Sequence, residues 1–86
     1  MQYYVYILLS SQDNRFYIGF TSNLKNRLQQ HARGEVSSTK NRRYLKLIHY
    51  EYFISQSDAK AREKFLKSGA GHKQINSFLK RTLGLI

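Results

Sequence analysis

Two tyrosine-rich apolar runs near the N-terminus constrain the fold of this chain more than any other feature. Residues 3–9 read YYVYILL, residues 16–20 read FYIGF, and the polar segment between them contains the turn-forming pair Asp-Asn. Short runs of β-branched and aromatic residues on both sides of turn formers indicate a β-hairpin. Because neighbouring side chains of a strand point to opposite faces, Tyr4 and Tyr6 share one face, whereas Tyr3 points to the other.

The rest of the chain carries signals for three helices and one further strand. Capping residues mark helix starts, and glycines mark helix ends. The predicted elements are a helix between Thr21-Ser22-Asn23 and Gly34, a polar and basic loop over 35–43, a strand over 44–54, a helix from near Ser57 to about Ser68, and a third helix after the interruption Gly69-Ala70-Gly71. The order β-β-α-β-α-α predicts an α+β fold, a small three-stranded antiparallel sheet flanked by helices.

The charge balance is the strongest indication of a partner. The chain has 86 residues, with 15 Lys and Arg against 5 Asp and Glu, for a formal net charge of +10. This length fits one domain, 1–86, and so strong a positive charge favours a polyanion such as nucleic acid. A membrane surface is less favoured, because the basic residues are not gathered on one amphipathic helix. A solvated basic surface without a partner is the plainest alternative.

Composition excludes several other kinds of site. The chain has no cysteine, which excludes disulfides, thiolate metal sites and a thiol nucleophile. Its three histidines lie too far apart for a zinc-binding pattern. The longest apolar run, residues 5–9, is too short to span a bilayer, and the N-terminus lacks a signal-peptide pattern. We therefore expect a cytoplasmic location.

Two polar residues of the first predicted helix lie beside its apolar stripe. The positions Leu24, Arg27, Leu28 and His31 have the spacing of one helix flank. Arg27 at this boundary is either a residue that buries only its aliphatic stem or a functional group that faces the sheet. His31 is either a satisfied boundary histidine or part of a site.

A single carboxylate stands out on the second predicted helix. Glu63 is the only acidic residue in a predicted helix interior, and Arg62 and Lys64 flank it. A surface ion pair is the simpler interpretation. The functional interpretation is a metal ligand, because one carboxylate in a basic cleft can hold Mg²⁺ when waters and phosphate oxygens complete the shell.

Basic side chains are spread over the loop and the helices. Lysine and arginine bind phosphates without reading bases, although a run of charges is more often a solvated face. The residues predicted to contact nucleic acid are Lys25, Lys40, Arg42, Arg43, Lys67 and Lys73.

With these residues in place, the chain resembles the GIY-YIG endonuclease superfamily. The motif pair is Tyr4-Val5-Tyr6 and Tyr17-Ile18-Gly19, with ten residues between Tyr6 and Tyr17. The second half matches the family pattern fully. In the first half, Tyr4 and Val5 replace the usual glycine and isoleucine. Arg27, His31 and Glu63 also match family positions, and the likeness extends over essentially the whole chain. It is greatest to the short, single-domain bacterial members.

The resemblance implies a Mg²⁺- or Mn²⁺-dependent endonuclease that hydrolyses DNA phosphodiester bonds. It implies that Glu63 holds the metal and that Arg27 stabilises the transition state. Tyr6 is then a general base whose phenolate is favoured by the nearby metal, Arg27 and other basic groups. Tyr17 positions the water or phosphate, and His31 relays or orients the proton. Which tyrosine is the base stays open, as do branched or single-stranded DNA as substrate and a protein partner that supplies specificity. Asn76 is the nearest candidate for an asparagine that larger members carry in the last helix.

Two alternatives remain at this point. One is a catalytically silent DNA- or RNA-binding module of the same fold. The other is a small RNA-binding or ribosome-associated protein whose tyrosines stack on bases. That second alternative predicts solvent-facing aromatics on an open sheet, whereas we expect helices to cover both faces.

Overall fold

The computed structural model describes residues 1–42 and 44–85 and contains the predicted order of elements. The strands are β1 (Tyr3–Ser10), β2 (Phe16–Thr21) and β3 (Leu45–Phe53), and the helices are α1 (Leu24–Ala32), α2 (Gln56–Leu66) and α3 (Gly69–Phe78). The strands form one antiparallel sheet in the order β2-β1-β3. The prediction of an α+β fold with a three-stranded antiparallel sheet is confirmed.

The strand register places the motif tyrosines on one face of the sheet. Tyr6 lies opposite Gly19, and Leu8 lies opposite Tyr17. Residues directly opposite each other in an antiparallel pair point to the same face. Tyr6 and Tyr17 therefore share a face, as the alternation in the sequence predicts. We call this the tyrosine face.

The opposite face of the sheet carries the hydrophobic core. Val5, Ile7 and Ile18 pack there against residues of α2 and α3, including the fully buried Leu66 and Ile75. Burial of a large aliphatic side chain contributes about 1.5–3 kcal/mol, so this cluster is the main stabilising contact between sheet and helices. Tyr3 packs against the cluster, as expected for the non-motif face.

The capping residues explain most helix bounds, and one glycine prediction was wrong. Asn23 accepts a hydrogen bond from the backbone N–H of Asn26, and Ser55 accepts one from Asp58, so α2 begins slightly before Ser57. The prediction was that residues 69–71 separate the second and third helices. The break lies instead at Lys67 and Ser68, and residues 69–71 belong to the first turn of α3. A side chain at Gly71 would collide with backbone atoms of Phe65 and Leu66, so the missing Cβ lets α3 pack closely on α2.

The tyrosine face is less covered than predicted. The helix α1 reaches it through His31, which contacts the rings of Tyr6 and Tyr17. On β3, however, Tyr50 and Tyr52 are 52% and 54% exposed. The expectation that helices cover both faces is therefore wrong for this part of the sheet. In the described part of the chain, no helix has the length and apolar character needed to cross a membrane.

Candidate active site

Tyr6 is the buried centre of the tyrosine face. Its side chain is 0% exposed, and its Oη lies 2.9 Å from His31 Nε2. Burial raises the pKa of the Tyr6 phenol; a hydrogen bond with Arg27 and the Arg27 charge oppose this, while Tyr17 and Glu63 add to it. Burial thus acts against the phenolate that the resemblance implies for Tyr6, whereas the Arg27 charge favours it. Tyr6 is a protonated hydrogen-bond donor near neutral pH.

His31 links Tyr6 to the loop that follows α1. Burial and the charge of Arg27 lower the pKa of His31 to about 4, so its imidazole is neutral near pH 7. Its Nδ1 lies 2.7 Å from Thr39 Oγ1, which in turn lies 3.5 Å from the carbonyl oxygen of Val36. One tautomer satisfies every donor: Tyr6 donates to Nε2, Nδ1 donates to Thr39, and Thr39 donates to Val36. The loop thus fixes the imidazole.

Glycine is required at position 19, in the second half of the motif, for a steric reason. A Cβ built on Gly19 would collide with Cζ, Oη and Cε1 of Tyr6. The Tyr6 ring therefore lies directly across the backbone of β2 at this residue. Only glycine leaves room for that ring at the position that the register assigns to it.

Tyr17 is the more accessible of the two motif phenols. Its side chain is half-buried, and its ring lies 5.0 Å from the His31 ring and 6.3 Å from the Tyr6 ring, measured between centroids. Tyr17 therefore belongs to the same aromatic cluster as Tyr6 but faces solvent in part.

Arg27 lies beside both phenols. A hydrogen bond with Tyr6 is the main cause that raises the pKa of Arg27, and Tyr17 acts in the same direction. Its Nη1 donates a hydrogen bond of 3.0 Å to Gln30 Oε1, one turn further along α1. The guanidinium is half-buried and held from two sides, so it presents a fixed positive charge at the cluster.

Glu63 approaches the cluster from α2. Its charge contributes to the raised pKa of Tyr6, and its Oε2 lies 3.0 Å from Lys67 Nζ. The side chain keeps 18% of its surface exposed. Within residues 1–42 and 44–85, no group of three or more His, Cys, Asp or Glu side chains is arranged to hold a metal ion. The donor set fits a divalent cation that takes one protein carboxylate and otherwise water and phosphate oxygens.

The structure gathers five of the predicted site residues and separates others from them. Tyr6, Tyr17, Arg27 and His31 are in mutual contact, and Glu63 is near enough to act on Tyr6 electrostatically. Asn76 instead lines a cavity of about 590 Å³ with Phe16 and His72, both on the α3 side of the sheet. The structure does not bring Asn76 to the cluster.

The residues predicted to contact nucleic acid lie in different surroundings. Lys25, Lys40, Lys67 and Lys73 are exposed, but Lys73 belongs to α3 on the core side. Arg42 is tied to the hairpin, with Nη2 3.3 Å from the carbonyl oxygen of Phe16 and Nε 3.7 Å from Asp13 Oδ2. These contacts favour a structural role for Arg42, anchoring the loop after α1. Arg43 lies outside the described residues.

This chain matches the model of a known protein family. The model of the GIY-YIG catalytic domain matches residues 2–76. The chain belongs to the GIY-YIG family. The matched segment contains all five residues of the cluster, so the resemblance carried by the two tripeptides extends to the domain that holds the site.

Three similar proteins match this GIY-YIG chain over most of its length. It is 41% identical over 69 residues to a UPF0213 protein of Limosilactobacillus reuteri, covering 77% of this chain and 71% of that protein. It is 39% identical over 80 residues to one of Pediococcus pentosaceus, covering 92% and 82%. The solution NMR structure of a UPF0213 protein from Bacillus halodurans matches with a TM-score of 0.58 and 31% identity, over 91% of this chain and 85% of that one.

Sequence reasoning missed two features of the site. Thr39 is fully buried and holds His31, yet it lies in a polar loop where nothing in the local pattern distinguishes it. Gln30 orients Arg27, and its spacing of three residues on the same helix is the signal that could have identified it. Thr39 and Gln30 thus contact His31 and Arg27, two residues that the sequence had already indicated as site residues.

Proposed function

We propose that this protein is a divalent-metal-dependent endonuclease that hydrolyses DNA phosphodiester bonds. The observation that carries the proposal is the contact of two phenols, a guanidinium and a neutral imidazole on one face, with a carboxylate close by. The family assignment and the net charge of +10 support it. Hydrolysis of a phosphodiester requires stabilisation of developing charge and removal of a proton from water.

The two tyrosines take different parts in this proposal. Tyr6 has no exposed surface and a raised pKa, which disfavours the role of general base expected from the sequence. Tyr17 is partly exposed and lies against the neutral His31 ring, so we assign to Tyr17 both the contact with the attacking water and the acceptance of its proton. Tyr6 and His31 form a buried hydrogen-bonded pair that positions Tyr17 and Arg27.

Arg27 supplies the fixed positive charge. A guanidinium binds two phosphate oxygens through parallel N–H donors and stays charged at any pH of interest. Its raised pKa and its hydrogen bond to Gln30 are the properties of a pre-oriented side chain. We assign it the stabilisation of the extra negative charge on the phosphate.

Glu63 is assigned to hold Mg²⁺ or Mn²⁺. When bound, such an ion polarises the phosphate and stabilises the leaving oxygen. The Glu63 carboxylate is partly exposed, and its partner Lys67 is 55% exposed on a flexible stem, so the ion pair can open to admit a cation. Lys67 is then free to contact a phosphate.

Plasmid cleavage tests the proposal. Purified protein with Mg²⁺ or Mn²⁺ should nick supercoiled plasmid, EDTA should stop the reaction, and Glu63→Ala should lose cleavage by at least about 100-fold while still binding DNA. Glu35→Ala is the matched control, because Glu35 is also a carboxylate in an ion pair but is bound to Arg33 on the exposed surface. Equal cleavage by both variants would contradict the assignment of Glu63.

The alternative is a DNA- or RNA-binding module of the same fold without activity. The exposed tyrosines on β3 favour nucleic-acid binding as such, with or without cleavage. Metal-dependent cleavage that tracks Glu63 separates the two functions.

A further inference from the structure

We propose that Tyr50 and Tyr52, supported by Tyr4, form a platform on which unpaired bases stack beside the proposed catalytic cluster. The inference deepens the proposed function, on which it rests, because it names the substrate class as DNA with a single-stranded segment at the scissile phosphate. We call these three residues the tyrosine platform.

The platform offers aromatic surface that the fold does not use. Tyr50 and Tyr52 are 52% and 54% exposed, although both lie within a strand of the sheet. Their rings lie 6.1 Å and 5.7 Å from the ring of Tyr4, tilted by 60° and 63°. Tyr4 therefore supports both rings without stacking flat on either. Ring surface remains available to a planar ligand.

The platform adjoins the catalytic cluster through the strand register. Tyr50 lies opposite Tyr6, and Tyr52 lies opposite Tyr4, across the β1–β3 pair. Adjacent strands are about 4.8 Å apart, so Tyr50 is one strand spacing from the residue at the centre of the cluster. A strand whose phosphate contacts Tyr17 and Arg27 can extend its neighbouring bases over β3.

The charge pattern favours nucleic acid over a protein partner on this face. None of the described strand residues that share the face with Tyr6 is acidic. The one strand carboxylate, Glu51, lies opposite the core residue Val5 and is held by Arg62 at 2.9 Å. An aromatic surface without acidic strand residues, on a chain of net charge +10, matches a polyanion that carries flat rings.

Duplex DNA does not offer such rings. In a helix the base faces are stacked on each other, and only unpaired nucleotides can turn a face toward a tyrosine. The platform therefore selects single-stranded or locally opened DNA. Stacking of this kind tolerates every base, so the platform predicts little sequence preference.

Binding without cleavage tests the platform directly. Fluorescence anisotropy in EDTA compares a labelled oligothymidylate, an abasic strand of equal length and a blunt duplex. The double variant Tyr50→Ser/Tyr52→Ser should bind oligothymidylate about 5- to 100-fold more weakly than the unchanged protein. Its affinity for the abasic strand should change less than about twofold, because the phosphate contacts remain.

Two control variants separate stacking from other effects. Tyr50→Phe/Tyr52→Phe keeps the rings and should retain affinity for oligothymidylate. Phe78→Ser removes an exposed aromatic of α3, on the other side of the sheet, and should leave binding unchanged. The chain has no tryptophan, so Tyr52→Trp provides a single reporter, whose fluorescence oligothymidylate should quench and the abasic strand should not.

An equal loss of affinity for both strands in the serine variant would overturn the platform. So would unchanged affinity together with a dimer that the serine substitutions dissociate, because the face would then bind a second copy. Failure to cleave both supercoiled plasmid and a single-stranded oligonucleotide would contradict the proposed function but leave these binding results readable. The two proposals therefore fail separately.

Discussion

The ring of Tyr6 occupies the space that any side chain at position 19 would need. A Cβ at Gly19 meets Tyr6 Cζ, Oη and Cε1. Tyr6 of the first motif half therefore requires glycine at position 19 of the second half, because the two residues lie opposite each other on β1 and β2.

Substitution of Gly19 by alanine should displace the Tyr6 ring. The ring cannot move freely, because it is fully buried and bonded to His31. We expect Gly19→Ala to lower the free energy of unfolding by about 1–3 kcal/mol, the usual cost of overpacking, and to abolish cleavage. Gly69→Ala is the control, since a Cβ there meets nothing within 4 Å. Urea unfolding measures the stability of both variants. Equal stability of Gly19→Ala and Gly69→Ala would contradict the expected displacement of the Tyr6 ring.

His31 should make stability depend on pH in a defined window. Its pKa is lowered to about 4 in the folded protein, from an ordinary 6.5, so the unfolded chain binds the proton more readily. The free energy of unfolding should therefore be constant above pH 6.5 and fall as the pH drops toward 4, by about 3 kcal/mol in total from this group.

The difference between the protein and His31→Gln isolates this contribution. Glutamine does not titrate, so its stability curve should lack the slope between about pH 6.5 and 4.5. The lowered pKa of Glu51, where burial is outweighed by Arg62 and His49, affects both proteins equally at more acidic pH. Parallel curves over the whole range would refute the buried neutral imidazole.

Thr39 should act as a positioning residue for His31. Its buried hydroxyl lies 2.7 Å from Nδ1, and Thr39→Val removes that hydroxyl with little change of shape. Leaving the buried imidazole nitrogen unpaired should cost about 1–3 kcal/mol of stability. Thr39→Ser keeps the hydroxyl, so the dependence of its stability on pH should be close to that of the unchanged protein. Loss with serine equal to loss with valine would show a packing role only.

The sequence predicted the sheet and the grouping of Tyr6, Tyr17, Arg27 and His31 because these depend on local periodicity. Alternation along β1 and β2 determines which tyrosines share a face, and helical spacing places Arg27 near His31. The partner of His31 could not be predicted, since Thr39 reaches it through an irregular loop whose path no short-range pattern encodes. The exposure of Tyr50 and Tyr52 was missed for a related reason. An apolar strand looks the same in sequence whether or not a helix covers it.

The two motif tyrosines should differ in kinetic effect. Tyr17→Phe removes the hydroxyl of the more exposed motif tyrosine and should lower the cleavage rate by about 100- to 10,000-fold, with stability nearly unchanged. Tyr6→Phe removes a buried hydrogen bond to His31, and should lower stability by about 1–3 kcal/mol and alter the cleavage rate less. Single-turnover cleavage and thermal unfolding of both variants measure this. A larger rate loss for Tyr6→Phe would return the role of base to Tyr6.

Arg27 should require the shape of its guanidinium as well as its charge. Arg27→Lys keeps the positive charge but cannot donate two parallel hydrogen bonds or reach Gln30 in the same geometry. We expect lysine to lower the cleavage rate by about 10- to 100-fold and alanine by about 100- to 1,000-fold, the range for loss of a transition-state donor. Arg33→Ala controls for the loss of one positive charge, because Arg33 is exposed at the end of α1 and paired with Glu35. If the lysine variant cleaves at the unchanged rate, Arg27 contributes charge alone, and the assignment of bidentate phosphate binding is wrong.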